Sequence, residues 1–278
     1  MPSFASRLSN AIAVHSPLCV GIDPSASLLK GCGLPDSAEG AFEFGKRVLE
    51  AGEFQFSIVK PQSAFFERFG SVGLKALEEI TQLARARGVL VLIDGKRGDI
   101  DTTAQAYAEG YFSPSSPLRA DAVTTHAYLG FAALEKFLAI ALRNDGGVFV
   151  VVRSSNPEGR DLQLAKLPNG ETVASNLARL IAERNQRAGT EALGPIGAVV
   201  GATCEDAEAT AAAMPSSFIL APGVGAQGAT MQDVLNRMPS ARGRVLPSVS
   251  RAILANGSSP EQIRTTIRAL QTQARALL

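Results

Sequence analysis

Directly after the apolar run VLVLI the chain reads D-G-K-R-G-D-I, which places Asp94, Lys96, Arg97 and Asp99 within six residues. Side chains two apart on an extended strand share a face, so Asp94 and Lys96 are expected to point the same way, side by side. Two other apolar runs end in single charges: FSIV runs into Lys60 before Pro61, and CVGI into Asp23 before Pro24. Taken singly, each is a solvated loop charge, and Asp94 with Lys96 reads equally as a salt bridge closing the end of a sheet. Taken together, they are alternating charges at the ends of three consecutive strands. Such a set is costly to desolvate unless paired. Once paired, it holds its members ionised and fixed, which is what electrostatic stabilisation of a reacting group requires.

The elements that must position these residues follow from the apolar pattern. Runs over 17–23, 56–62, 89–96, 122–127, 147–155, 196–203, 217–224 and 244–250 are short, aliphatic or β-branched, and almost continuously apolar. That is the pattern of strands buried on both faces, as in a parallel sheet. Between them lie amphipathic stretches at about 38–52, 71–88, 103–112, 130–145, 171–189, 204–213, 230–238 and 260–278. In the second of these, Leu74, Leu77, Ile80 and Leu83 recur every three residues before Gly88. Eight strands alternating with eight helices predict a closed (β/α)8 barrel, with a doubly wound open sheet as the alternative. No composition shift divides the chain, so residues 1–278 are expected to form a single domain. The longest stretches without a predicted element are 24–37 and 156–170. Each follows a strand, where loops tend to carry function. In a barrel the chemistry sits at the C-terminal ends of the strands, and those ends are where the charges fall.

A second cluster follows the seventh strand. Residues 222–228 read P-G-V-G-A-Q-G, and Gly223, Gly225 and Gly228 spell G-x-G-x-x-G. A dinucleotide fingerprint belongs in a first βα turn, with an acidic residue about 20 positions on. Here it is the seventh turn, and after Asp233 no acidic residue appears before Glu261. A phosphate cradle suits the position better, because barrels often bind phosphate at the loops after strands seven and eight. Gln227 adds a donor. The eighth strand ends in Ser250-Arg251, a guanidinium suited to bidentate phosphate contact or, more plainly, an exposed arginine at a helix start.

Bulk properties exclude several classes. With 27 basic and 26 acidic residues, the formal charge of +1 gives no case for a nucleic-acid partner. No apolar stretch reaches 18 residues, so no membrane span is expected, and the N-terminus has no secretory apolar core. Cys19, Cys32 and Cys204 are odd in number and widely spaced, which argues against a disulfide framework and a zinc site. His15 and His126 have no third ligand at metal spacing. No metal is expected, and a cytoplasmic location is the default.

The string DGKRGDIDTT resembles the D-x-K-x-x-D-I-x-x-T signature of the orotidine 5′-phosphate decarboxylase family, and Lys60 in SIVKPQSAFFE resembles that family's second-strand lysine. The likeness runs in order from Asp23 to Arg251 and is to the longer bacterial branch. It implies a catalytic array of Lys60, Asp94, Lys96 and Asp99, with Asp99 supplied across a homodimer interface. It further implies Asp23 and Thr103 at the ribose, Thr103 also across the interface, and Ile100 beside the base. Ser155, before Asn156-Pro157, takes the place of the serine that contacts the pyrimidine, although the same segment reads as an ordinary strand-ending turn. PGVGAQG resembles the family's phosphate loop, from Pro222 on, with Gln227, Arg251 and the Ser250 backbone N–H as ligands.

The implied reaction converts orotidine 5′-phosphate to uridine monophosphate (UMP) and CO2 without a cofactor. No pyridoxal, thiamine or metal motif offers an electron sink. Lys96 would then stabilise the C6 carbanion and protonate it. Metal-dependent sugar-phosphate decarboxylases and hexulose-phosphate synthases share the barrel and the D-x-K-x-x-D string. They end strand two in an acidic residue that binds magnesium, where this chain has Lys60. A catalytically silent phosphate-binding barrel is the other alternative, and it would be expected to have lost charges from the set.

Overall fold

A computed structural model describes residues 2–52, 55–189, 192–225 and 228–278. Eight parallel strands close into a barrel in simple sequential order. They are β1 (Cys19–Ile22), β2 (Ile58–Pro61), β3 (Leu90–Arg97), β4 (Ala122–His126), β5 (Gly147–Arg153), β6 (Ile196–Val200), β7 (Ile219–Ala221) and β8 (Val245–Val249). Closure is made by β1 on β8, with Cys19 opposite Ser248 and Val20 opposite Val249. The open doubly wound alternative is thereby excluded.

Apolar side chains divide into two layers by strand parity. Cys19, Ile58, Leu90, Leu92, Ala122, Phe149, Val199, Leu220 and Leu246 fill the inside of the barrel. Their neighbours Val20, Ile22, Val59, Val91, Ile93, Val123, Val148 and Val245 face outward under the helices. Because strand side chains alternate, this parity fixes what comes next along each strand. Inward Leu90 and Leu92 lead to inward Asp94, inward Ile58 to inward Lys60, and inward Ala122 to inward Thr124. The helix Phe4–Val14 plugs the opposite end, where Phe4, Leu8 and Ile12 join the inner layer. The Phe4 ring stands edge-on to Phe149 at 6.1 Å and to Phe218 at 6.5 Å, a favoured aromatic geometry. One end of the barrel is plugged by this helix, and the charged strand ends lie at the other.

The strict one-helix-per-strand alternation expected from sequence needs correction. Both long loops contain short helices, Ala26–Gly31 after β1 and Gly159–Gln163 after β5, and a further one, Ala64–Glu67, follows β2. Their four to six residues are too short for a 3.6-residue period to emerge. The amphipathic stretch at 130–145 is a 3-10 turn, Phe131–Leu134, followed by the α-helix Glu135–Arg143, and the stretch at 204–213 shortens to Ala207–Ala212. Among the described residues no helix is long and apolar enough to cross a membrane.

Candidate active site

At the C-terminal mouth lies a cavity of about 350 Å³ lined in part by Asp23, Lys60, Asp94, Lys96, Thr124 and Ser155. The buried Asp94 carboxylate is its hub. Lys60 Nζ donates to Asp94 Oδ2 at 3.0 Å and Lys96 Nζ to Asp94 Oδ1 at 2.6 Å. The Thr124 hydroxyl donates to the same Oδ1 at 2.8 Å. Lys60 Nζ also lies 3.7 Å from Asp23 Oδ1. Four charges from three adjacent strands therefore alternate in sign along one arc, Asp23, Lys60, Asp94, Lys96.

Electrostatics keep the two buried members of this arc, Lys60 and Asp94, ionised. Burial alone would drive the Lys60 ammonium toward neutrality, since the residue is only 5% exposed. The charges of Asp23 and Asp94 outweigh that penalty and hold it above the ordinary lysine value. Burial would likewise raise Asp94, but Lys60 and Lys96 hold it below the ordinary carboxylate range. Asp23 Oδ1 is buried and accepts no hydrogen bond among the described residues, although Lys60 is within ionic reach.

Lys96 reaches Asp94 by a route that simple alternation does not describe. The β3–β4 register shifts between Ile93 and Arg97, and Lys96 sits in the left-handed region at φ 44°. The backbone N–H of Lys96 donates to Thr124 Oγ1 at 2.9 Å, so one threonine anchors both the bulge and the Asp94 carboxylate. Bulges beside active sites commonly re-aim a side chain in this way. Arg97, of the outward parity of Ile93, lies outside the arc, pairs with Glu67 and donates to the Tyr111 hydroxyl at 2.9 Å.

Across the mouth, Pro222, Gly223, Val224, Ser250 and Arg251 line the same cavity. Gly223, Gly225 and Gly228 all have positive φ, at 107°, 77° and 85°. In this conformation only glycine is unstrained; the Gly225 N–H donates to the Ala229 carbonyl at 2.7 Å and the Gly228 N–H to the Gly225 carbonyl at 3.2 Å, so these two bonds hold the loop on itself. Gln227 lies outside the described residues. Arg251 is exposed and opens a 3-10 turn after β8.

Between these arcs, β5 delivers Ser154 and Ser155, and both line the cavity. The Ser154 hydroxyl accepts from Gln163 Nε2 at 2.8 Å. Ser155 packs where β6 ends in Gly201: a Cβ there would lie 2.8 Å from Ser155 Cβ, so only glycine permits the approach.

Three expected site residues are not brought to the cavity of this chain. Asp99 accepts from the Ile100 N–H at 2.8 Å. Ile100 is 52% exposed, and Thr103 is exposed on the helix Asp101–Phe112. None of the three lines the cavity. His126 does not either: its ring lies against Gly98, where an added Cβ would be 2.5 Å from it.

Sequence reasoning missed Gln62, Thr124 and Gln163. Gln62 lines the cavity and has the parity of Lys60, which is a usable signal. Thr124 has the parity of inward Ala122, but AVTTHA carries no charge to draw notice. Gln163 has no signal at all. Among the described residues no group of three His, Cys, Asp or Glu side chains is arranged to hold a metal ion.

A family profile described as "Orotidine 5'-phosphate decarboxylase / HUMPS family" matches residues 16–266. The chain belongs to this family. A Salinispora arenicola relative named orotidine 5'-phosphate decarboxylase is 45% identical over 278 residues, covering 100% of this chain and 99% of its own. A Streptomyces coelicolor relative of the same name is 45% identical over 266 residues, covering 95% and 94%. A crystal structure from Streptomyces avermitilis superposes with a TM-score of 0.92 at 42% identity, covering 100% of this chain and 96% of that one. The Leishmania donovani OMP decarboxylase structure gives 0.78 at 31% identity, covering 98% and 99%. With relatives of this family matching end to end, the charged arc and the glycine loop lie within one shared scaffold.

Proposed function

We propose that this chain is an orotidine 5′-phosphate decarboxylase acting in pyrimidine biosynthesis, and that Asp94 bound by both Lys60 and Lys96 is the core of its active site. The C6–carboxylate bond breaks, CO2 leaves, and the electron pair stays at C6. The Lys96 ammonium faces that carbon, stabilises the negative charge and then transfers a proton to it from Nζ. Asp94 faces the departing carboxylate, and Lys60 keeps Asp94 charged and aimed. Asp99 comes from the partner subunit of a homodimer, together with Thr103 and Ile100; the outward placement of all three supports a site completed by a second copy.

Asp23 accepts from the ribose hydroxyls, in keeping with its place in the cavity wall. Ser155 meets the pyrimidine from the cavity wall that it lines, directly before Asn156-Pro157. Arg251, Gln227, the Ser250 N–H and the loop from Pro222 grip the phosphate. One electrostatic contact of this kind contributes roughly 3 kcal/mol, whereas the most demanding reactions need about 23 kcal/mol. Phosphate binding must therefore also drive closure of the glycine loop over the site. The whole chain acts as one barrel domain, in the cytoplasm.

A second reading is favoured by the family description itself, which covers more than this activity: a magnesium-assisted sugar-phosphate reaction on the same barrel. Against it stands Lys60, an ammonium at the end of β2 where such an enzyme needs a carboxylate. Purified protein incubated with orotidine 5′-phosphate in EDTA tests both. Steady loss of the substrate's pyrimidine absorbance at an undiminished rate is expected. Loss of turnover on chelation would favour the magnesium reading.

A further inference from the structure

Behind the β5 end of the cavity is a polar network that the charged arc does not use. Arg153 is only 4% exposed. The β5–β6 register shifts between Val151 and Arg153, and Arg153 is not among the cavity-lining residues. Its Nε donates to both Asp206 oxygens, at 3.0 and 3.2 Å. Its Nη1 donates to the Ser154 carbonyl at 3.0 Å and to Gln163 Oε1 at 3.1 Å. Gln163 in turn grips Ser154 from two sides: Oε1 accepts the Ser154 N–H at 3.0 Å, and Nε2 donates to the Ser154 hydroxyl at 2.8 Å. The Cys204 thiol lies 3.4 Å from the Ser154 carbonyl and completes the set.

Ser154 is thus held at its N–H, its hydroxyl oxygen and its carbonyl by Gln163 and Arg153. Arg153, anchored by Asp206, donates to Gln163 Oε1 and so fixes that end on the Ser154 N–H and the Nε2 end on the Ser154 hydroxyl. With Ser154 held at its N–H, hydroxyl and carbonyl, the peptide leading to Ser155 has one orientation. Gly201 beneath Ser155 leaves it no room to settle lower. Gln163 itself comes from the short helix Gly159–Gln163 in the long segment after β5, so that segment has a structural task at the site.

We propose that Gln163 is a positioning residue that presents Ser155 to the pyrimidine through Ser154 and so governs affinity for the base but not for the sugar phosphate. This rests on the reading of Ser155 given above. Loss of the amide leaves the Ser154 N–H and part of the Arg153 guanidinium without an acceptor, a penalty that one or two misplaced hydrogen bonds at the base convert to about tenfold in affinity.

The test compares UMP, which carries the base, with ribose 5-phosphate, which does not, by calorimetric titration of the full chain. Gln163→Leu is expected to weaken UMP about tenfold and ribose 5-phosphate less than twofold. Gln163→Glu retains both acceptor functions, and the Ser154 hydroxyl can turn to donate, so it is expected to bind UMP within about threefold of wild type. Unchanged UMP affinity in Gln163→Leu would overturn the proposal. So would equal losses for both ligands, or a Gln163→Glu protein no better than Gln163→Leu. Ser155→Ala separates the two layers of inference. If it binds UMP normally, the reading of Ser155 itself fails; if it weakens UMP while Gln163→Leu does not, only the role of Gln163 falls.

Discussion

On one side of the mouth, β1, β2 and β3 deliver Asp23, Lys60, Asp94 and Lys96 already in contact, with Asp94 taking both ammonium groups. On the other, β7 and β8 deliver Gly223, Gly225, Ser250 and Arg251, and among the described residues Arg251 has no carboxylate partner. The first arc is held together by its own contacts, and Lys60 and Asp94 hold each other ionised. The second consists of an exposed guanidinium and glycines in left-handed conformations. A preformed field acts on charge that appears only during reaction, so it must be rigid. A grip that closes on a phosphate can be loose beforehand, because its interaction energy is released on binding. Substitutions on the two sides should therefore fail differently, the first in turnover and the second in affinity.

The sharpest break is Lys96→Ala. It should lower kcat by about 10⁴-fold or more, because it removes both carbanion stabilisation and the proton donor, while UMP binding stays measurable by titration. Normal turnover would remove Lys96 from the chemistry. The same variant tests the second copy. Mixed with Asp99→Ala, it should regain activity on the order of a quarter of wild type, since hybrid dimers would carry one intact site. Two inactive proteins that stay inactive after exchange would argue against a shared site.

Arg251→Ala probes the opposite arc. Loss of a charge-assisted phosphate contact costs about 1.5–3 kcal/mol, or roughly 10–100-fold in affinity. UMP binding should weaken by that factor and uridine binding hardly at all. Equal weakening of nucleotide and nucleoside would place Arg251 away from the phosphate.

The two arcs also differ in how readable they were. Parity carried the first. Leu90 and Leu92 pointing inward make Asp94 inward, and Ile58 does the same for Lys60, so three strand ends could be converged from the one-dimensional pattern. Lys96 was placed beside Asp94 for an incomplete reason: the contact is real, but a bulge at φ 44° makes it, and bulges leave no mark in a hydrophobic pattern. The second arc was legible as chemistry, glycines followed by an arginine, and its detailed geometry is not a property of parity. Thr124 and Gln163 were missed because neutral side chains acting through other side chains have no local signature. Their roles exist only once β3 meets β4 and the segment after β5 folds back. The short helices after β1, β2 and β5 were missed for the related reason that one turn has no period.

The contrast between a locked arc and an open one can also be read in stability against pH. Asp94 is held below the ordinary carboxylate range by Lys60 and Lys96 against its own burial. Its contribution is complete above the unfolded carboxylate value of about 4 and is lost as pH falls through the lower folded value. Lys60 is held above the ordinary lysine range by Asp23 and Asp94, again against burial. Its contribution is complete below about pH 10.4 and is lost as pH climbs through the higher folded value. Between those limits the pair neither gains nor loses a proton. Asp94→Asn should therefore be less stable than wild type by a constant amount, about 3–5 kcal/mol, from about pH 5 to pH 9. The gap should narrow only below about pH 4, where the wild-type carboxylate begins to pay for its ionised state in the fold. Urea denaturation of both proteins across that range measures it. A gap already closing near pH 6 would mean that Asp94 titrates in the ordinary range, and that the ammonium groups on either side of it do not hold it as the geometry requires. Arg251→Ala, on the unpaired side, should change the denaturation midpoint little at any pH in the same range.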